Sequence, residues 1–400
     1  MRTISWGQPG HVVIGAGALD ACAPYLIDEG ARRVLVVTGT RTGLLAAPLI
    51  ETLRAAGVEA TLWSGIAGEP TLDVFAQACA AARSANADTI VGLGGGSALD
   101  AAKLVAGVLG DARPVQALFG IDTLGRRRAR LVCVPTTAGT GSEVSPNAIL
   151  LDETQPAKRA VISRHLVPDA AFIDPALACG LPSDVTAATG LDALTHCIEA
   201  YANRRAHPVV DDWALAGIRW IGAHLVRAVN DGGDLAAREA LARGSLYGGM
   251  CLGPVNTAAV HALAYPLGGL FRVGHGLSNA VLLPYVLEHN LPAAPDRYAA
   301  VAVALGARVG RDELSTARAG IAAIRALSRA CGLPAGLDAL GIPREAIPQL
   351  ADSALTVRRL LDNNPRAFAR EDVLAIYART FEPATDRDAG SVWRPPHADA

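Results

Sequence analysis

Over the first 178 positions, apolar residues fall into short unbroken runs rather than alternating with polar ones. Val34-Leu35-Val36-Val37-Thr38 is one such run; Thr89-Ile90-Val91-Gly92-Leu93 and Leu131-Val132-Cys133-Val134 repeat it. Runs of this length without polar interruption predict parallel strands buried on both faces. His11-Val12-Val13-Ile14 predicts a further strand, followed by an amphipathic helix over residues 19–28. Helical segments separate the strand runs, and that order is the rhythm of a doubly wound α/β domain.

The pattern changes at Leu181-Pro182. Long Ala/Leu-rich stretches follow over residues 184–202, 211–230, 235–247, 296–305, 312–331 and 370–381, and strand runs largely stop. The sequence therefore predicts an α/β domain over residues 1–180 and an all-α domain over 181–400. The tail over 384–400 is polar and bears prolines, which predicts a mobile end.

Composition narrows the class. Hydrophobic residues make up 51% of the 400 and charged residues 18%, enough apolar surface for two cores and too much for a disordered chain. Thirty-six basic against 38 acidic residues give −2, with no basic domain to neutralise phosphates, so no nucleic-acid partner is expected. Mean hydropathy is positive, at +0.28. Gly, Pro, Asp or Arg nevertheless interrupts each apolar stretch before the roughly 20 residues a membrane span needs, and no membrane partner is expected. The N-terminus lacks the apolar core of a secretory signal. Seven scattered cysteines without a Cys-x-x-Cys pair predict small buried hydrophobes in a reducing, cytoplasmic setting.

Two turns carry candidate chemistry. Gly94-Gly95-Gly96-Ser97 follows a strand and opens a helix through Asp100 and Lys103. Glycines let a ligand approach the backbone, and a helix N-terminus offers free N–H groups, so the turn suits a pyrophosphate. The plainer reading makes Ser97 and Asp100 a capping box. The second turn, Pro135-Thr136-Thr137-Ala138-Gly139-Thr140-Gly141-Ser142-Glu143, brings four hydroxyls and also follows a strand. It either contacts ribose and phosphate oxygens or merely satisfies its own backbone. Open α/β sheets bind ligands at the carboxyl ends of their strands, where both turns fall. Arg126-Arg127-Arg128-Ala129-Arg130 precedes a strand instead and reads as a solvated loop.

Asp192 and His196 are four residues apart in a helical stretch and share one face. His261 and His275 follow far downstream. One carboxylate with three imidazoles suits a first-row divalent metal, although an Asp–His pair at this spacing is commonly a surface ion pair. His11, His165, His207, His224, His289 and His397 have no comparable context and read as structural or exposed.

Taken with Asn364-Pro365-Arg366, these motifs resemble the signatures of the iron-containing (group III) alcohol dehydrogenases, in order and over residues 4–381. The resemblance implies an N-terminal α/β dinucleotide-binding domain, a helical metal-binding and catalytic domain, and a nicotinamide cofactor in the cleft between them, the fold shared with dehydroquinate synthase. It implies Asp192, His196, His261 and His275 as ligands of Fe²⁺, with Zn²⁺ the tighter competitor. Gly95, Gly96, Ser97 and Asp100 would lie by the pyrophosphate, and Thr136, Thr137, Thr140, Ser142 and Lys158 would line the cofactor site. The implied reaction is hydride transfer between NAD(P)(H) and a small alcohol or aldehyde, in a homodimer.

Three departures from the family pattern bear on specificity. Tyr265 and Arg272 stand where the family commonly has histidine, and Gly274 where it has proline. Tyr265, four residues after His261, would either hydrogen-bond the substrate oxygen or a relay water, or pack as an ordinary aromatic. Arg272, three residues before His275, would either attract an acidic aldehyde or point into solvent. Where many NAD-using members end the second strand with Asp, this chain has Gly39. There either Gly39 would free space and Thr38, Thr40 and Arg41 would accommodate the 2′-phosphate of NADP(H), or the small-residue loop would be indifferent to the 2′ position, with Arg41 in solvent. Rival readings are a maleylacetate reductase, which lacks the full metal set, a lyase of the dehydroquinate synthase type, and a nucleotide-binding regulator.

Overall fold

A computed structural model describes residues 2–154 and 157–382. The tail over 384–400, with His397, lies outside the described residues. The chain divides into two compact units, Ser5–Gly180 and the residues from Leu181 on, the latter joined by residues 2–4.

In the first unit, six parallel strands are β1 (His11–Ile14), β2 (Arg33–Gly39), β3 (Glu59–Ile66), β4 (Thr89–Gly94), β6 (Arg130–Pro135) and β9 (Ala170–Ile173). They lie in the order β1-β9-β6-β4-β2-β3. A second sheet joins β5 (Gly120–Ile121), β8 (Ala157–Ile162) and β7 (Asn147–Asp152). Four helices accompany them: α1 (Cys22–Asp28), α2 (Ala47–Ala55), α3 (Leu72–Ser84) and α4 (Gly96–Val108).

The unbroken apolar runs have a direct physical use here. Side chains alternate across a strand, so Leu35 and Val37, with Ile90, Leu131 and Cys133, enter one core that includes α3 and α4. Val34, Val36, Val91, Leu93, Val132 and Val134 enter the other, with α1 and α2. A polar residue at any of these positions would face a core, which is why the runs are continuous. Gly92 permits a close approach: a Cβ there would lie 2.8 Å from that of Ala102 on α4.

The second unit is helical among its described residues. Its helices are α5 (Ser183–Tyr201), α6 (Pro208–Asn230), α7 (Leu235–Leu252), α8 (Ala259–Phe271), α9 (His275–Asn290), α10 (Pro295–Ala304), α11 (Glu313–Ala330), α12 (Ile347–Leu355), α13 (Arg358–Leu361) and α14 (Arg370–Arg379). Every residue of α5 from Gly190 to Tyr201 is buried. No described helix is long and apolar enough to cross a membrane.

The arginine cluster corrects the solvated-loop reading in part. Arg126 and Arg128 are exposed, but Arg127 grips Asp169 with two hydrogen bonds, of 2.8 and 3.1 Å, and Arg130 pairs with Glu29 at 2.8 Å. Arg127 also donates to the carbonyls of His165, Ala129 and Val167, so it ties down the loops beside β6 and β9.

Candidate metal centre and nucleotide-binding turns

Three helices bring four donor side chains together. Asp192 and His196 sit one turn apart on α5, His261 in the first turn of α8, and His275 at the start of α9. Their ligand atoms all lie within 4.8 Å of one another. From Asp192 Oδ1 it is 3.9 Å to His196 Nε2, 3.6 Å to His261 Nε2 and 3.7 Å to His275 Nε2. Metal–ligand bonds of about 2.0–2.2 Å in tetrahedral geometry place ligands roughly 3.3–3.6 Å apart, so the donor set fits a divalent ion after a small contraction. Asp192 is 1% exposed, which removes the surface ion-pair alternative.

The electrostatics agree with the donor chemistry. Burial works against charge on Asp192, yet the imidazoles of His275, His196 and His261 hold its carboxyl well below the usual carboxylate range. Burial also opposes a charged His261, but Glu199 and Asp192 raise its pKa to about 9. A cation would take the place of that proton.

Close packing sets the geometry. A Cβ on Gly276 would lie 2.4 Å from the Ala188 carbonyl oxygen and 3.3 Å from Asp192 Cβ. Only glycine there lets the start of α9, and His275 with it, approach α5 this closely. On the far side of α5, a Cβ on Gly248 would touch His196 Cβ at 3.3 Å.

Two residues at this centre were not singled out in the sequence. Asn279 Nδ2 donates to Asp192 Oδ1 at 2.6 Å and lies 3.1 Å from His261 Nε2. Its Oδ1 is buried without a hydrogen-bond partner among the described residues. Glu199 accepts from His261 Nδ1 at 2.6 Å and from the Val260 amide at 2.6 Å. The available signal was spacing: Glu199 follows His196 by three residues and Asn279 follows His275 by four, each on its neighbour's helix face. Tyr265 is half-buried, its ring 6.1 Å from that of His275. Arg272 is exposed and caps α8 in the left-handed region at φ 57°, a conformation that costs a non-glycine residue of order 1 kcal/mol.

In the first unit, three turns follow the carboxyl ends of the adjacent strands β2, β4 and β6. Gly94 has φ 155°, and a Cβ on Gly96 would lie 2.4 Å from Thr140 Cγ2. Glycine therefore lets the second turn close directly onto the first. Gly95 caps α4 and packs toward Thr137, and Ser97 lies in the helix's first turn. The capping box does not form, because the cap residue is Gly95 and no side chain bonds the first amides. Thr136 Oγ1 is buried without a hydrogen-bond partner among the described residues.

Asp100 braces the second turn instead, accepting from Ser142 Oγ at 2.5 Å and the Ile149 amide at 2.9 Å. One turn along α4, the fully buried Lys103 ammonium donates to the carbonyls of Ser142 and Ser145, each at 2.8 Å. Glu143 is buried between these anchors, and burial pushes its pKa up to about 7. Lys158 pairs with Glu69 at 2.7 Å.

At the end of β2, Gly39 does not free space. A Cβ there would lie 3.1 Å from Thr42 Oγ1 and 3.3 Å from the Ile66 carbonyl oxygen. Thr38 is fully buried and hydrogen-bonded to Thr42, so it cannot serve a phosphate. Thr40 and Arg41 are exposed, and among the described residues no hydrogen bond or ion pair engages the Arg41 guanidinium.

Comparison with known proteins agrees with this architecture. Residues 9–175 match the family described as iron-containing alcohol dehydrogenase, and residues 186–381 match the Fe-containing alcohol dehydrogenase family, C-terminal. The chain is 39% identical over 377 residues to long-chain-alcohol dehydrogenase 1 of Geobacillus thermodenitrificans, covering 92% of this chain and 94% of that one. It is 33% identical over 376 residues to sulfoacetaldehyde reductase of Bilophila wadsworthia, covering 93% and 97%. A crystal structure of 1,3-propanediol oxidoreductase superposes with a TM-score of 0.91 at 35% identity, covering 95% and 100%. The chain belongs to the iron-containing alcohol dehydrogenase family and is an oxidoreductase that interconverts alcohols and aldehydes with a nicotinamide cofactor.

Proposed function

We propose that this enzyme is a divalent-metal-dependent reductase of small aldehydes that holds Fe²⁺ at Asp192, His196, His261 and His275 and prefers NADP(H) to NAD(H). The observation that carries the reading is the convergence of one carboxylate and three imidazoles, all within 4.8 Å, from three helices. When bound, the ion supplies Lewis acidity and the nicotinamide supplies or accepts the hydride. One carboxylate and three neutral imidazoles offset a single positive charge, which leaves the centre electrophilic. A complete ligand set favours this reading over a maleylacetate reductase.

The protein's own part is binding and orientation. In this reading the turns at Gly95, Gly96 and Ser97 and at Thr136, Thr137, Thr140 and Ser142 hold the pyrophosphate and ribose, and Asp100 keeps the second turn in place. The buried, unpartnered Thr136 hydroxyl supports a ligand there. Lys158, already paired with Glu69, lines the same loop as a neutralised group. Arg41, together with Thr40 and the Gly39 backbone, reads the 2′ position. Tyr265 holds or passes a proton at its phenol oxygen, supported by its ring lying beside His275. Arg272 favours aldehydes bearing an acidic group, supported by its exposed positive charge three residues before His275 and by the sulfoacetaldehyde reductase relative. Seven free cysteines, six of them buried, suit a cytoplasmic setting. The sheet edge at β1, with Val12 and Ile14 each 40% exposed, suits a homodimer.

The test is an aldehyde panel with protein reconstituted anaerobically with Fe²⁺, using NADH and NADPH in parallel. Oxidation of NADPH with small aldehydes, faster than of NADH, is expected; metal-independent turnover would overturn the reading.

A further inference from the structure

Glu199 is a buried carboxylate, 5% exposed, and no arginine or lysine contacts it among the described residues. Leaving such a group uncompensated is strongly destabilising, so its partners show what it is for. Both come from the first turn of α8. One oxygen accepts the Val260 backbone N–H at 2.6 Å; the other lies 2.6 Å from His261 Nδ1. An ionised carboxylate only accepts, so the proton on the His261 ring belongs on Nδ1. Nε2 then carries the lone pair, and it lies 3.6 Å from Asp192 Oδ1 inside the ligand cluster. Glu199 is not one of the four clustered ligands; it stands behind one of them.

We infer that Glu199 is a positioning residue for the metal centre: it fixes the tautomer and ring direction of His261, raises the basicity of Nε2, and locks α8 to α5 through Val260. This rests on the metal reading above. The helix-to-helix grip matters because Asp192 and His196 lie on α5 while His261 lies on α8. Without Glu199 the imidazole could rotate or present a protonated Nε2, and either removes a ligand. Glutamine is no substitute, because its carbonyl can satisfy one of the two donors while its NH₂ faces the other.

The experiment measures divalent-ion affinity of Glu199→Gln by chelator competition, with Co²⁺ as a probe whose visible absorption reports coordination. Removing a carboxylate partner of a metal-bound histidine costs roughly 10–100-fold in affinity. That loss, with a changed Co²⁺ spectrum and unchanged NADPH binding, is the expected result. A folded Glu199→Gln protein with wild-type affinity and spectrum overturns the inference while leaving the metal reading intact. A wild-type protein that binds no stoichiometric ion overturns the metal reading itself. If Glu199→Gln does not fold, Glu199→Asp reads the same quantity. Its carboxylate is shorter by about 1.5 Å, beyond hydrogen-bond reach of His261, and wild-type affinity there also overturns the inference.

Discussion

Replacing Gly276 with alanine tests how tightly the metal centre depends on helix packing. The added Cβ would lie 2.4 Å from the Ala188 carbonyl oxygen and 2.8 Å from its carbon, about 1 Å short of ordinary contact. Both atoms belong to the backbone of α5 and cannot rotate away. Helix propensity alone would favour alanine by up to about 1 kcal/mol, but overpacking of this kind costs about 1–3 kcal/mol. The start of α9 must therefore recede by up to about 1 Å and carry His275 with it. Metal–ligand distances tolerate only about 0.2 Å, so the protein set falls to three ligands. Divalent-ion affinity should drop on the order of 100-fold or more, with a lower Tm. Gly274→Ala is the control, since nothing lies within 4 Å of its Cβ. Metal content after dialysis against a weak chelator reads the result. Gly276→Ala protein that retains its ion as wild type does would refute this packing argument.

Other perturbations probe the cofactor and the loops. Arg41→Ala should cost on the order of tenfold or more in kcat/KM with NADPH and little with NADH, as for a charge-assisted pair of roughly 1.5–3 kcal/mol. Gly39→Asp should weaken both nucleotides, because its side chain starts 3.1 Å from Thr42 Oγ1. Glu143, facing Lys103 and Cys133, has its folded pKa raised to about 7 by burial. Its contribution is therefore full below about pH 4.5 and is lost as pH rises toward 7. The Tm of Glu143→Gln relative to wild type should climb between pH 5 and 8, by the equivalent of on the order of 3 kcal/mol; a flat difference counts against a buried neutral carboxyl. Arg272→Ala should lower kcat/KM for acidic aldehydes and spare neutral ones, as steady-state kinetics on both will show.

Much of this organisation was legible in the sequence, for identifiable reasons. The strands β2, β4 and β6 are buried on both faces, so their apolar runs were continuous and easily read. The hairpin of β7 and β8 has no such signature: it mixes Asp152, Lys158 and Arg159 with apolar residues, and Lys158 is taken by Glu69, 89 residues away. The edge strand β3 is exposed at four of its eight positions and lacks the unbroken run. Asp192 and His196 stood out because one helix turn separates them. His261 and His275 carry no such local spacing; residue type offered them as imidazole partners, and the resemblance implied them as ligands. Glu199 carries no local mark, because both of its partners, Val260 and His261, lie on α8 more than 60 residues away. Arg127 looked solvated because its partner Asp169 is 42 residues away. The space expected at Gly39 was filled by Thr42 and the neighbouring strand, which sequence cannot show.

The most direct test of the central claim is the number of ions bound per chain by wild type and by His261→Ala, measured beside NADPH-dependent aldehyde reduction in the same preparations. One tightly held divalent ion in the wild type, with ion and activity lost together in the variant while NADPH binding persists, is the predicted result. Stoichiometric metal retained by His261→Ala, or undiminished aldehyde reduction without it, would contradict the account.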